Sequence, residues 1–505
     1  MSKLNFKEIL LFLFTSIFIF SFICIIKIIL FDNVNLFYNM NPFIIIIGIL
    51  VLLFLLYTLN KFFNNLEDKK LKKIRRNCFI GILVLQIIFA VFLHVNPTWD
   101  FRSVNQSAIE LALYNKPLGE YFYVSYPNNI AITLLLSCMY KFIGMYTDNI
   151  HTFYTFGTLL NIFMINISIL ILSKFIKKVF GICKETLFSV FALLITPFYA
   201  YSQIVYTDTI TMFFPITMFL FLYNYINSKS KVRFRYLIYI GILACIGTAL
   251  KTNVIISLIA IVIYLFFLNK IKPSIKCISL IIIPFIIGTM FFQYMVTYFI
   301  PVTYKEAGLP YTHWMMMGLE KPYGSFSHED VQFSLKQRSL NGKEGTKKAN
   351  IKIIKQRLKS YGVEGYLRFL KNKISFTWGD GTYYSLSKLS REAVFKGSIF
   401  YEHVVGKKNG VFVSVSQFSH ILILIMIVVS SIRFYKYPKE FTSSLNICIF
   451  GVFLFLIIWE TRSRYLLCYL PILILSAFFG LDYILEVLEK SANKIKSYFN
   501  GLFKN

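Results

Sequence analysis

This chain predicts an all-α, polytopic membrane fold, and three observations carry the prediction. Over 505 residues, 57% are hydrophobic and only 15% are charged, too apolar a balance for a protein bathed in water. Apolar runs of spanning length recur from end to end. The polar connections between them alternate in charge, and that alternation orders the runs into a topology.

The runs lie at residues 9–31, 43–62, 78–95, 152–173, 186–205, 209–226, 277–299, 418–435, 442–459 and 465–486. The first is too long for a signal-peptide core and lacks a small-residue cleavage pattern after it, so it reads as a retained span. Two regions need a decision: Tyr236 to Leu268, interrupted by Lys251-Thr252-Asn253, and the modest apolar helix Ile130 to Tyr146. Short basic loops stay cytoplasmic. Six segments are basic: Lys61 to Arg76, Lys174 to Lys184, Lys229 to Arg235, Lys270 to Lys276, Arg433 to Lys439, and the tail after Lys490. The connections around Asp32, Asp100, Asp148, Asp208 and Glu460 are acidic or mixed. All six basic segments share one side only if Tyr236 to Leu268 is a hairpin with Lys251 at its tip and Ile130 to Tyr146 lies in the opposite interface without crossing. The expectation is about twelve spans, both termini cytoplasmic, in a plasma membrane.

The chain divides into four parts. Residues 1–77 hold two additional N-terminal spans and a basic loop; 78–300 form a core with a first outer loop, 96–151; 301–417 form a large outer loop; 418–505 hold three spans and a basic tail. The large loop carries 19 basic and 9 acidic residues, a net of +10, which long loops tolerate on the outer side. Within it, KKANIKIIKQRLKSYG (347–362) puts Ile351, Ile354 and Leu358 on one stripe among cations, so a basic amphipathic helix is expected, suited to anionic lipid or polymer. The net charge of +29 therefore belongs to loops beside a membrane, and no nucleic-acid partner is implied. The eight cysteines are scattered, with none between Pro301 and Gln417, and read as small apolar fillers. No phosphate-binding glycine loop, dinucleotide fingerprint, zinc-protease motif or paired C-x-x-C is present. No internal repeat is visible, which weakens a transporter reading.

The topology collects the charges near span ends on one face. They are Asp100 in PTWDF, Asp208 in QIVYTDTIT, Lys251 in ALKTN, and Glu460, Arg462 and Arg464 in WETRSRYL. Such charges are costly unless paired or lining a polar cavity, which makes them functional candidates. Each also has a plain structural reading. Asp100 and Asp208 would serve as helix caps, Lys251 would extend its amine outward from a hairpin tip, and Arg462 and Arg464 would pair with Glu460.

In this order the features resemble the GT-C class of membrane glycosyltransferases, the group of the protein O-mannosyltransferases and the lipid A aminoarabinose transferase. The resemblance rests on an acid just after a span (Asp100), the helix after Ser103 and the YPNN turn leading into Ile130, a second acidic site in YTD (Asp208), a lysine between two helices (Lys251), and the E-x-R-x-RY stretch from Glu460 to Tyr465. It covers residues 78–486. Phe101 stands where a second acid often follows the first, and two spans precede the usual first one.

The resemblance implies a GT-C fold and transfer of a hexosyl or pentosyl group from a polyprenyl-phosphate carrier to an acceptor hydroxyl on the outer face. The acceptor would be a surface glycopolymer such as a teichoic acid, a glycolipid or a protein, in a bacterial cell envelope. A lipid-phosphate leaving group is weakly basic and needs cations rather than an acid, so Lys251, Arg462 and Arg464 are assigned to the phosphate. The attacking hydroxyl needs a base, assigned to Asp100, with Asp208 orienting the acceptor or joining Asp100 around a divalent metal, Mg or Mn. Glu460, Tyr126, Asn128, Asn129 and His313 are placed among substrate contacts, although Asn128 or Asn129 as a helix cap is the simpler reading. The stretch WGDGTYY (378–384) reads as an ordered cover with no assigned chemistry. A surface-polysaccharide polymerase or ligase, and a polytopic transporter or flippase, are the alternatives.

Overall fold

The computed structural model describes residues 6–34, 40–434 and 440–502. Most of the basic segment from Arg433 to Lys439 and the end of the basic tail lie outside the described residues. Every described element is helical apart from one isolated bridge, Val95 to Ala393.

The first three helices are α1 (Phe6–Phe31), α2 (Pro42–Asn64) and α3 (Asp68–Phe92). Pro42 opens α2 where its missing N–H costs nothing, and Asn41 caps it by accepting the Phe43 amide at 2.9 Å. Of the two additional N-terminal helices, α1 packs closely against the large loop. Phe18 and Phe22 of α1 are fully buried, Phe22 meets Trp378 edge-on, and just beyond α1 the Val34 amide donates to Ser375 Oγ at 2.7 Å. The end of α1 therefore braces the chain that leads into WGDGTYY.

After α3 come α4 (Trp99–Tyr114) and α5 (Ile130–Ile143). α5 has 14 residues, packs along α4, and ties Tyr140 to Asn105 at 2.8 Å. α6 (Ile150–Phe180) begins with Asn149 accepting the His151 amide and ends with Lys177 and Lys178 against its negative dipole end.

The expected span 186–205 is not one helix. α7 (Ile182–Ala192) stops early, and the chain continues through α8 (Pro197–Ala200) and turns to α9 (Thr207–Ile210). It still covers the length of α3. Near α7's start, Glu185 pairs with Arg75 in the first half of α3 at 3.2 Å; at the far end Gln203 accepts the Val95 amide, just past α3, at 2.8 Å. Residues 195–212 are buried throughout, and bulk apolarity gave no sign of the break.

α10 (Phe213–Asn227) leads to α11 (Phe234–Leu250) and α12 (Ile255–Leu268), the expected hairpin with Lys251 at its tip. Its open end is fixed by Lys276 over the Phe234 ring and by Ser274 bonded to Leu265 O. α13 (Ile271–Val296) follows.

The long loop is folded and closely attached. It carries α14 (Thr312–Met317), α15 (His328–Trp378), α16 (Ser385–Ser390) and α17 (Ile399–Val404). α15 breaks at Gly342 (φ 64°) and Gly362 (φ 58°), where a left-handed backbone suits glycine, so that Ser334 reaches back to Asn350 at 3.2 Å. The stretch 347–362 is helical as expected, with Ile351 and Ile354 half-buried and Leu358 exposed; Arg357 turns inward to Asp330 and Glu320. α18 (Gly410–Phe434), α19 (Thr442–Ile458) and α20 (Leu470–Leu502) close the bundle.

Among the described residues nine helices are long and apolar enough to cross a membrane, and Thr252–Leu268 and Thr442–Ile458 are shorter apolar ones. With the irregular crossing 182–206 they account for the expected set of about twelve. The basic loops gather at one end: Lys184 pairs with Asp482 at 3.3 Å, and Lys7 donates to Asn269 O at 2.7 Å. The candidate residues gather at the other.

Candidate functional site

Asp100 sits in the first turn of α4, whose N-cap is Thr98, so it is not the cap. It is half-buried, and Tyr121 donates its hydroxyl to Asp100 Oδ1 at 2.7 Å. Asn129 donates to the same Tyr121 oxygen at 2.6 Å, while its Oδ1 accepts from Tyr206 at 2.9 Å. Asn129 therefore joins two tyrosines instead of capping α5. Asn128 bonds Asn129 at 3.3 Å, and Tyr126 lies 5.1 Å from the Tyr121 ring. Burial and the Asp100 carboxylate push the Tyr121 hydroxyl well above the usual tyrosine range, which keeps it a donor.

Asp208 is enclosed. One oxygen is held by Lys251 and the other accepts from Arg464 at 2.7 Å. Arg464 also lies over the rings of Tyr206 and Tyr465. Asp208 is thus neutralised twice, and Lys251 and Arg464 are committed to it. Two of the cations assigned to the phosphate, and the carboxylate assigned to the acceptor, thus hold one another in this geometry. This pairing also bears on the metal: among the described residues no group of three His, Cys, Asp or Glu could hold one, and the Asp208 oxygens already face cations. The Asp100–Asp208 pair does not fit a divalent ion in this geometry.

Glu460 accepts from Tyr465 at 2.6 Å and lies 3.6 Å from Arg462. Its backbone amide is bound by Trp314 O, and the Trp314 and Trp459 rings stack. Arg462 points away from Asp208 and donates to the Tyr384 hydroxyl at 3.0 Å. His313 is fully buried, hydrogen-bonded through Nδ1 to Ser334 at 2.8 Å, and burial lowers it to about 4. In this geometry the residue assigned to a substrate contact is an enclosed, neutral imidazole that ties α14 to α15.

Further residues of the large loop lie beside these. The turn WGDGTYY is built on Asp380, which accepts from the Thr382 and Tyr384 amides and from Ser463 Oγ at 2.8 Å. It holds Tyr383 and Tyr384 at φ 53° and 69°, a conformation bulky residues rarely adopt. Tyr384 then accepts from Arg462 and, at 3.3 Å, from Arg391. Arg391 is positioned by pairing of 94–96 with 392–394 and lies over Trp99, itself at φ 52°. The side-chain amine of Lys388 on α16 makes no hydrogen bond or ion pair among the described residues; the charges acting on it are Arg464, Asp208, Arg391 and Asp100. Burial, then the neighbouring Arg464, lowers its amine to about 7. Lys388 and Arg391 stand three residues apart in SKLSRE, the one available sequence signal, and it is lost among the other cations of the loop.

The bundle and its charged end define a polytopic integral membrane protein. The chain belongs to the family described as conserved hypothetical integral membrane protein, whose model matches residues 2–484. No curated protein matches it. Among solved structures it is similar to the archaeal oligosaccharyltransferase AglB from Archaeoglobus fulgidus, in complex with an inhibitory peptide and a dolichol-phosphate, at 13% identity and a TM-score of 0.43. The match covers 84% of this chain and 52% of that one, so the chain spans about half its length. A likeness of this degree does not establish an activity.

Proposed function

We propose that the protein is a GT-C type glycosyltransferase that moves a sugar from a polyprenyl-phosphate carrier to an acceptor hydroxyl at the membrane face carrying Asp100. The observation that carries this reading is the ammonium of Lys388, which has no hydrogen-bond or ion-pair partner among the described residues and lies within the electrostatic reach of Asp100, Asp208 and Arg464.

In this reading Lys388, Arg391 and Arg462 receive the carrier phosphate, and Lys251 and Arg464 act indirectly by holding Asp208 and the chain around it. As the bond from the anomeric carbon to the phosphate oxygen breaks, the phosphate gains negative charge that these cations stabilise. The acceptor oxygen forms the new bond to the anomeric carbon and passes its proton to Asp100. Tyr121 fills Asp100 Oδ1 and leaves Oδ2 for that proton. Glu460 orients Arg462 and Tyr465. The same reading places the basic end in the cytoplasm and the site outside, with a surface glycopolymer, glycolipid or protein as acceptor.

Membranes containing the full chain, given radiolabelled polyprenyl-phosphate sugar, are expected to release label from the lipid into an acceptor fraction. Label that stays on an intact lipid but changes leaflet would replace this reading with transport.

A further inference from the structure

At the opposite end of the bundle, α3, α6 and α7 enclose a cavity of about 280 Å³ that plays no part in the proposed transfer. Its rim is cationic: Lys72, Arg75 and Arg76 project from the start of α3 within little more than one helical turn. Its floor is apolar, with Phe79 from α3 and Phe188 from α7. Arg75 is spent, since it pairs with Glu185 at 3.2 Å and bonds Thr186 at 3.2 Å. Lys72 and Arg76 are exposed and have no ion-pair partner among the described residues, so the rim holds two uncompensated positive charges. The cavity also opens sideways. Leu170, part of its lining, is 41% exposed on α6, and below Arg76 the α3 surface continues as exposed Ile80, Val84 and Ile87.

We propose that this cavity binds the headgroup of an anionic glycerophospholipid. The phosphate meets Lys72 and Arg76, the glycerol enters the cavity, and the acyl chains run down the apolar faces of α3 and α6. A soluble anion would gain nothing from the apolar floor and side opening. A zwitterionic lipid would bring a cationic headgroup to an already cationic rim. The carrier lipid shares the phosphate but lacks the glycerol, and it is the rival the test must separate. Bound there, the lipid bridges α3 and α7 beside the Arg75–Glu185 pair.

The test is native mass spectrometry of the full chain released from nanodiscs of phosphatidylcholine doped with phosphatidylglycerol. Phosphatidylglycerol is expected to be retained over phosphatidylcholine, and K72A/R76A is expected to lower its retention about tenfold or more, whereas K229A/K231A, elsewhere in the basic loops, keeps it. Equal retention of both lipids, or equal loss in both double variants, overturns the proposal. So does displacement of phosphatidylglycerol by equimolar polyprenyl phosphate. As a check in the otherwise unaltered chain, a photoreactive residue at Ser173 is expected to capture phosphatidylglycerol, and capture of carrier lipid alone contradicts the assignment.

Discussion

Arg464 donates to Asp208 at 2.7 Å in a site where both side chains are at most about one-tenth exposed, and Lys251 holds the other oxygen of the same carboxylate. Three charges from three separate parts of the chain thus close on one another. Removing one member of such a set strands the others without compensation, at ~3–5 kcal/mol. Asp208→Ala is therefore expected to lower thermal stability in detergent sharply and reduce the folded yield. A variant that melts like the wild type but has lost transfer would return Asp208 to the chemistry.

Tyr384 accepts from both Arg462 and Arg391. Tyr384→Phe keeps the ring that Arg462 lies over and removes the acceptor. A charge-assisted hydrogen bond in the folded protein is worth ~1.5–3 kcal/mol, so the melting temperature is expected to fall, and with Arg462 and Arg391 no longer held in place KM for the lipid-linked donor is expected to rise with kcat little changed. Steady-state kinetics against donor concentration measure the split.

Lys388 supplies a pH dependence with a definite sign. Its amine is lowered to about 7, whereas an unfolded lysine titrates near ~10.4. Charged Lys388 prevails below about 7 and is lost above it, so donor affinity should fall as pH rises through 7. Stability runs the other way: between the two values the unfolded chain binds the extra proton, and this residue's contribution to stability grows with pH. Lys388→Met is expected to weaken donor binding at pH 6 and flatten the donor-KM profile above pH 7, about one unit either side of the titration. An unchanged profile in Lys388→Met assigns the titration to another group.

Orientation has its own test. Cysteine placed at Asp148 is expected to react with an impermeant thiol reagent applied to intact cells, and cysteine at Lys231 only after permeabilisation. The reverse pattern inverts the topology.

Much of the fold was legible because membrane burial leaves coarse signals. Charge alternation alone placed the hairpin tip at Lys251 and set Ile130 to Tyr146 aside as non-spanning. It could not reveal the break between Ala192 and Thr207, since a segment buried on every side is apolar whether or not it is a continuous helix; Pro197 was the local hint. The site was legible in company but not in roles. Asp208, Lys251 and Arg464 were grouped together and do meet, but their mutual pairing depends on side-chain reach that spacing does not encode. Lys388 and Arg391 were missed because their positions come from the Asp380 turn and the pairing of 392–394 with 94–96, long-range contacts invisible in local pattern.

A base at Asp100, taking the acceptor proton opposite a cationic phosphate site, is separable from a purely binding carboxylate by its amide variant. Membranes carrying equal amounts of folded wild type and Asp100→Asn are incubated with labelled polyprenyl-phosphate sugar, and single-turnover consumption is followed. Asn keeps the size of Asp and can still meet Tyr121, but it cannot accept the proton. A transfer rate lowered ~10²–10⁴-fold with donor binding retained is expected. Wild-type transfer by Asp100→Asn would contradict it.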